Sequence, residues 1–278
     1  MGIADVLLSE TGHGSLLRVI NEGYVRDAEK PPLDPLASYL RSSAIPSLCA
    51  REEVLCTLLN IPRRDKVDVG LNLTFLHGTA LHWAVQNELL GPLGVLYGTW
   101  KCGGCLKLYG EYIEGARVED WSRPRPKICI HCNSTEFTFV EHKFVDHNLR
   151  LTGHSDGFLV LPGLSGMGIL EVKSIGERAG REVKQAPQIG HIAQAHLYMM
   201  FTGFKWAKIL YWLKAESGAG SLIEHHLDRD EETINLMRDL IRSVWSGIET
   251  KTLPDRICAN NSCSRAKACQ VSKPCFER

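Results

Sequence analysis

Two acids and a lysine lie close together in the run GHSDGFLVLPGLSGMGILEVK, from Gly153 to Lys173. Asp156 precedes an apolar stretch from Phe158 to Leu161. Pro162 to Gly168 supply turn residues, and a second apolar stretch, Ile169 to Val172, carries Glu171 and leads to Lys173. The pattern predicts a β-hairpin. Two-residue alternation sets Glu171 and Lys173 on one face of the second strand, toward which Asp156 on the neighbouring strand can point. Charge on strands of Ile, Leu and Val is costly to bury unless it is paired or bound to metal. An active site is one reading of the three residues and a salt bridge is the other.

The cysteines offer a second chemistry. Ten of them in a secreted miniprotein would suggest disulfides, but here they are clustered, which in a reducing compartment argues for metal. Cys102, Cys105, Cys129 and Cys132 form two Cys-x2-Cys pairs with 23 residues between them. Each pair can turn two thiolates toward one tetrahedral Zn2+, so the segment reads as a zinc ribbon, with a redox dithiol as the alternative. Tyr109, Tyr112 and Trp121 give this small lobe a core. Cys258, Cys263, Cys269 and Cys275 gather at the C-terminal end without such pairs, and Cys49 and Cys56 stand apart. Cys56 shares an apolar helix face, where a free cysteine packs as a small hydrophobe.

The elements that would position these groups follow from periodicity. PPLDPLASYL reads as a proline-limited linker leading into a helix. Leucine spacing predicts a helix over residues 43–60, with Cys49 near its start, and a closely packed helix through Gly78, Ala80 and His82 that ends near Gly91. A lone helical histidine is more often packed or solvated than a ligand, so His82 needs support from elsewhere. The zinc ribbon falls between that helix and the hairpin, as an insertion into a larger fold. Phe137 to Val145 alternate as a strand carrying Glu141, for which surface exposure is the expectation. After Lys173 come a polar loop over residues 174–187, a helix that places Gln194 and Tyr198 on one face, a buried strand over 206–213 and an edge strand over 222–227. An amphipathic helix follows over 231–248.

Length and charge bound the rest. A chain of 278 residues, 44% of them hydrophobic, can bury one large core. Lys plus Arg equals Asp plus Glu at 32 each, so any nucleic-acid-binding surface has to be local. The N-terminal residues lack a signal-peptide pattern and no apolar run reaches membrane-spanning length, which predicts a cytoplasmic protein without membrane association.

The series His82, GHSDG with Asp156, EVK with Glu171 and Lys173, and Gln194-x3-Tyr198 resembles the nuclease domain of the RecB-like branch of the PD-(D/E)XK superfamily, from about Ser43 onward. SAIPSLCARE with Cys49, together with the C-terminal cysteines, is similar to the iron–sulfur members, such as the AddB nucleases and the CRISPR-associated four-cysteine nucleases. The fold implied is α/β: a restriction-endonuclease-like core, with a mixed central sheet flanked by helices, an inserted zinc ribbon and an iron–sulfur tail. The boundaries implied are an N-terminal helical extension over 1–35, the nuclease domain over 36–278, the ribbon over 100–135 and the tail over 255–278.

The resemblance also implies roles. Asp156, Glu171, the Val172 carbonyl and His82 would hold Mg2+ or Mn2+; Lys173 would orient the attacking water; Gln194 and Tyr198 would position phosphate or water. A [4Fe–4S] cluster would take four of Cys49, Cys258, Cys263, Cys269 and Cys275, with Cys263 as the spare, and a second zinc site is the alternative. The activity implied is a metal-dependent DNA exonuclease acting on single strands or ends, in recombination, repair or mobile-element DNA processing, with DNA and further repair or recombination proteins as partners. A DNA-binding scaffold subunit and an endonuclease or nickase are the alternatives.

Overall fold

The computed structural model describes residues 36, 38–61, 69–214, 218 and 221–277. The helical extension expected over 1–35 lies outside them. The chain first forms a short strand, β1 (Leu40–Arg41), then a single 3-10 turn (Ile45–Ser47) holding Pro46, and only then α1 (Ala50–Leu58). The segment after the prolines is therefore extended before it is helical. Pro46 fits the first turn of a helix but cannot donate from its interior, so the long helix begins later than residue 43. Cys49 is its N-cap, and Glu52 and Glu53 face the positive end of the helix dipole.

The helix of His82, α2 (Val69–Ala84), runs directly into a π turn (Val85–Leu90) that stops at Gly91, where a Cβ would lie 2.6 Å from the Trp100 ring. Next come β2 (Leu96–Cys102), β3 (Leu108–Tyr109), a single turn α3 (Val118–Trp121) and β4 (Arg123–Pro124). The strand predicted through Glu141 divides there into β5 (Phe137–Val140) and β6 (His142–Asp146). Then follow β7 (Leu151–Ser155) and the predicted hairpin, β8 (Gly157–Leu159) and β9 (Gly168–Ile175), in register Gly157 to Leu170 and Leu159 to Gly168. The polar segment read as a loop contains a short helix, α4 (Glu177–Val183), that buries Val183. The chain ends with α5 (Ile189–Thr202), β10 (Trp206–Leu213), β11 (Leu222–Asp228), α6 (Glu231–Thr250), α7 (Ser264–Ala268) and α8 (Ser272–Glu277).

The central sheet has the order β11-β10-β9-β8-β2-β3, with β4 and β5 also paired to β2, and a second sheet has the order β1-β7-β6. β9 and β10 are parallel, joined by the α4–α5 crossover, and the remaining central pairs are antiparallel. Parallel pairing needs cover on both faces, which explains why β9 is buried almost throughout despite its acid and its lysine. α5 lies against β9 and β10, and α6 lies against α1 and α5. Because β2 pairs with β8 at one end and with β3 and β5 at the other, the ribbon grows out of the central sheet.

One packing expectation holds only in part. Ala80 and Leu89 are exposed, whereas Gly78, Leu81 and Ala84 are half-buried and Val85 is fully buried; ahead of them Leu73, Phe75 and Leu76 are 54%, 55% and 52% exposed. Among the described residues the helix reaches fully buried positions at the π turn, with Val85, Gln86 and Asn87 inside. Among the described residues no helix is long and apolar enough to cross a membrane.

Candidate active site

The hairpin does what its alternation predicted. Glu171 is 1% exposed and ion-paired to the Lys173 ammonium, while Asp156 Oδ2 accepts the Val172 amide at 2.6 Å. Among the described residues Glu171 Oε2 has no hydrogen-bond partner. Burial, opposed by Lys173, pushes the Glu171 carboxyl up to about 7. Lys173 resists the same burial and stays charged because Glu171 and Asp156 raise it.

His82 joins this group. Its Nδ1 lies 3.0 Å from Asp156 Oδ1 and 3.9 Å from Glu141 Oε1. Burial works against its charge, yet the two acids lift it to about 10. Glu141 is exposed, as expected, with its side chain 36% accessible, yet its carboxylate turns toward the site. Gln86 was not anticipated: its Nε2 donates to Glu141 Oε1 and to the Asp156 carbonyl, both at 3.0 Å. The sequence signal for it is the four-residue interval from His82, which sets both on one helical face. His82, Glu141 and Asp156 offer ligand atoms that all lie within 4.8 Å of one another.

Gln194 and Tyr198 meet one another beside this cluster, but their hydrogen bonds go to β1 and β7 and not to its carboxylates. Gln194 Nε2 donates to the Tyr198 hydroxyl at 3.2 Å, which also accepts from Ser42 at 3.1 Å and donates to the His154 carbonyl at 2.5 Å. Burial and the nearby Glu171 hold that phenol well above its ordinary range. The pair braces β7 two residues ahead of Asp156. On the far side of Lys173, across the β9–β10 register, Tyr211 accepts from the Gln188 amide and bonds His191 Nδ1 at 2.9 Å. Burial, aided by Lys173, lowers His191 to about 4.

The four ribbon cysteines converge. Cys102 Sγ is 3.5 Å from Cys132 Sγ, Cys105 Sγ is 3.5 Å from Cys129 Sγ, and all four sulfurs fall within 4.8 Å of one another. Burial opposes ionisation of Cys129, but the Tyr109 hydroxyl at 3.1 Å and the His131 and Cys132 amides bring its thiol down to about 5. A single thiolate-binding ion fits this set.

The tail cysteines are arranged differently. Cys49, Cys258, Cys269 and Cys275 line one cavity, together with Arg256 and Arg265, and among the described residues they form no group as tight as the ribbon's. Cys263 is not in the lining; it caps α7, its Sγ accepting the Ala266 amide at 3.3 Å. Arg51 ties α1 to the tail through the carbonyls of Pro254 and Cys275.

No protein-family model and no curated protein matches this chain. Among solved structures, an alkaline exonuclease from Laribacter hongkongensis is similar at 10% identity and a TM-score of 0.43, covering 77% of this chain and 89% of that one. The same enzyme in complex with dAMP aligns at 12% identity and 0.46, over 78% and 91% of the two chains. The crystal structure of SSO0001 aligns at 12% and 0.40, over 93% and 95%. Likenesses this slight transfer no chemistry, which rests on the residues themselves.

Proposed function

We propose that this chain is a metal-dependent deoxyribonuclease of the RecB-like PD-(D/E)XK kind, degrading single-stranded DNA or DNA from its ends. The observation that carries the reading is the buried Glu171 oxygen with no hydrogen-bond partner, beside Asp156 and His82. A carboxylate in that position is costly unless a cation completes it. Two carboxylates, an imidazole and the Val172 carbonyl make a donor set that suits Mg2+ or Mn2+, the histidine favouring Mn2+. When bound, such an ion supplies Lewis-acid polarisation of a phosphodiester and a more acidic water.

The chain's own residues do the rest. Asp156 is fixed by the Val172 amide and His82, so its carboxylate is set before substrate arrives. Lys173 stays protonated beside Glu171, where it can hold a water in line and offset charge developing on the phosphate. Tyr198 and Gln194 act as positioning residues, holding the His154 carbonyl and so the turn that presents Asp156. The ribbon thiolates suit Zn2+. The cavity cysteines Cys49, Cys258, Cys269 and Cys275 suit a [4Fe–4S] cluster, whose negative charge Arg256 and Arg265 would offset.

The test compares linear and circular single-stranded DNA with Mg2+ or Mn2+, using wild type and Lys173→Ala. Loss of the linear substrate alone, abolished in the variant, is the expected result. Cutting of circles would make the enzyme an endonuclease, and no cutting of either would leave a DNA-binding subunit.

A further inference from the structure

Glu141 stands where the chain changes sheets. β5 pairs with ribbon strand β2, in register Phe137 to Cys102 and Val140 to Thr99. β6 starts one residue later in the other sheet, with His142 opposite Ser155, next to Asp156. Glu141 itself is in neither strand, and its carboxylate turns toward His82 and Gln86. Bringing it close to Asp156 costs repulsion that a cation would relieve. The buried Glu171 oxygen without a partner is an independent sign that positive charge belongs here.

The ribbon braces this residue. Cys129 and Cys132 lie shortly before β5, which Asn87, buried and next to Gln86, fixes by accepting the Phe139 amide at 2.7 Å. Arg125 of the ribbon donates to the Asn87 carbonyl at 2.8 Å and lies over the Trp100 ring, 5.9 Å from its centroid. The Phe139 ring packs where a Cβ on Gly98 would stand, 2.6 Å away, so β2 and β5 have no slack between them. Thiolate site, β5 and Glu141 form one continuous support for the pocket.

We infer that Glu141 is a further ligand of the divalent cation and that the metal-loaded ribbon sets its position. The inference rests on the reading that this pocket holds such a cation, and it gives the ribbon a part in cation binding.

The test is Mn2+ titration of the zinc-loaded full chain followed by electron paramagnetic resonance, without DNA. Glu141→Gln should weaken Mn2+ binding about tenfold or more, as loss of a ligand or its support does. Cys132→Ser, with its lowered zinc content measured, should weaken it in the same direction, and the double variant should bind no worse than Glu141→Gln alone. Wild-type affinity in Glu141→Gln overturns the ligand role, and wild-type affinity in zinc-poor Cys132→Ser overturns the ribbon's part. Glu141 is partly exposed, so its variant remains readable if the cysteine variant does not fold. A chain that shows these losses yet cuts no DNA retains this inference and loses the nuclease reading; one that binds no Mn2+ loses both.

Discussion

The carboxylate pocket and the thiolate ribbon both gather ligands, but they complete them differently. In the ribbon four sulfurs face one another, and Cys129 takes hydrogen bonds from Tyr109 and the His131 amide, with Cys102 and Cys129 fully buried and Cys132 at the surface. Among the described residues the pocket leaves a buried carboxylate oxygen without a hydrogen bond, and it keeps one side open, where His82 is half-buried and Glu141 exposed. A closed set of four ligands is how structural sites are built, and an incomplete set with an open side leaves room for water and substrate. The contrast teaches that ligand type alone does not separate support from chemistry; what the site leaves unsatisfied does.

The largest effect that can sharpen this contrast is in the pocket. Glu171→Gln keeps the shape and removes the charge, so DNA cleavage should fall by about 10²–10³-fold or more while the circular dichroism spectrum is unchanged. A ribbon change should do the reverse. Cys102→Ser, at a fully buried thiol of the proposed zinc site, should cost several kcal/mol of thermal or denaturant stability with loss of zinc, because metal binding at such a site is folding free energy. Equal loss of stability in both variants would erase the distinction.

The tail offers an intermediate effect. Cys269→Ser should abolish the visible absorption of the proposed iron–sulfur cluster in anaerobically purified protein, whereas Cys263→Ser, which keeps a side-chain acceptor at the α7 N-cap, should retain it. Smaller effects follow from pH. In the metal-free protein burial raises Glu171 from 4.5 to about 7, so the folded state holds a proton that the unfolded state has released. Stability should therefore decline as pH rises from about 4.5 to 7, and Glu171→Gln should remove that slope. Mn2+ affinity should rise over the same range, since the ion displaces protons from Glu171 and His82. The smallest effect is expected at Tyr198→Phe, which leaves the His154 carbonyl without its donor and should cost about 1 kcal/mol of stability.

The sequence was most legible where period and spacing act locally. Alternation in β9 paired Glu171 with Lys173, and two matched cysteine pairs converged as expected. Glu141 was not legible, because the strand that carries it changes sheets at that residue, and periodicity is silent about which sheet a strand joins. The exposed part of α2 was missed for a related reason: small residues at helical spacing permit close packing on one side, as at Gly78 against Ser174, without saying how far along the helix it extends. For Gln194 and Tyr198 the shared helical face was readable. The turn of the phenol toward Ser42 and His154 depends on β1 and β7, which come from distant parts of the chain.

On the proposed function the pocket is an open cation site that cleaves DNA. Its most direct test is degradation of end-labelled linear single-stranded DNA by anaerobically purified full chain, with Mn2+ or Mg2+, against Glu171→Ala and against chelator. Cation-dependent release of label, absent in the variant and with chelator, is the predicted result. Undiminished cleavage in Glu171→Ala, or none by folded wild-type protein, would contradict it.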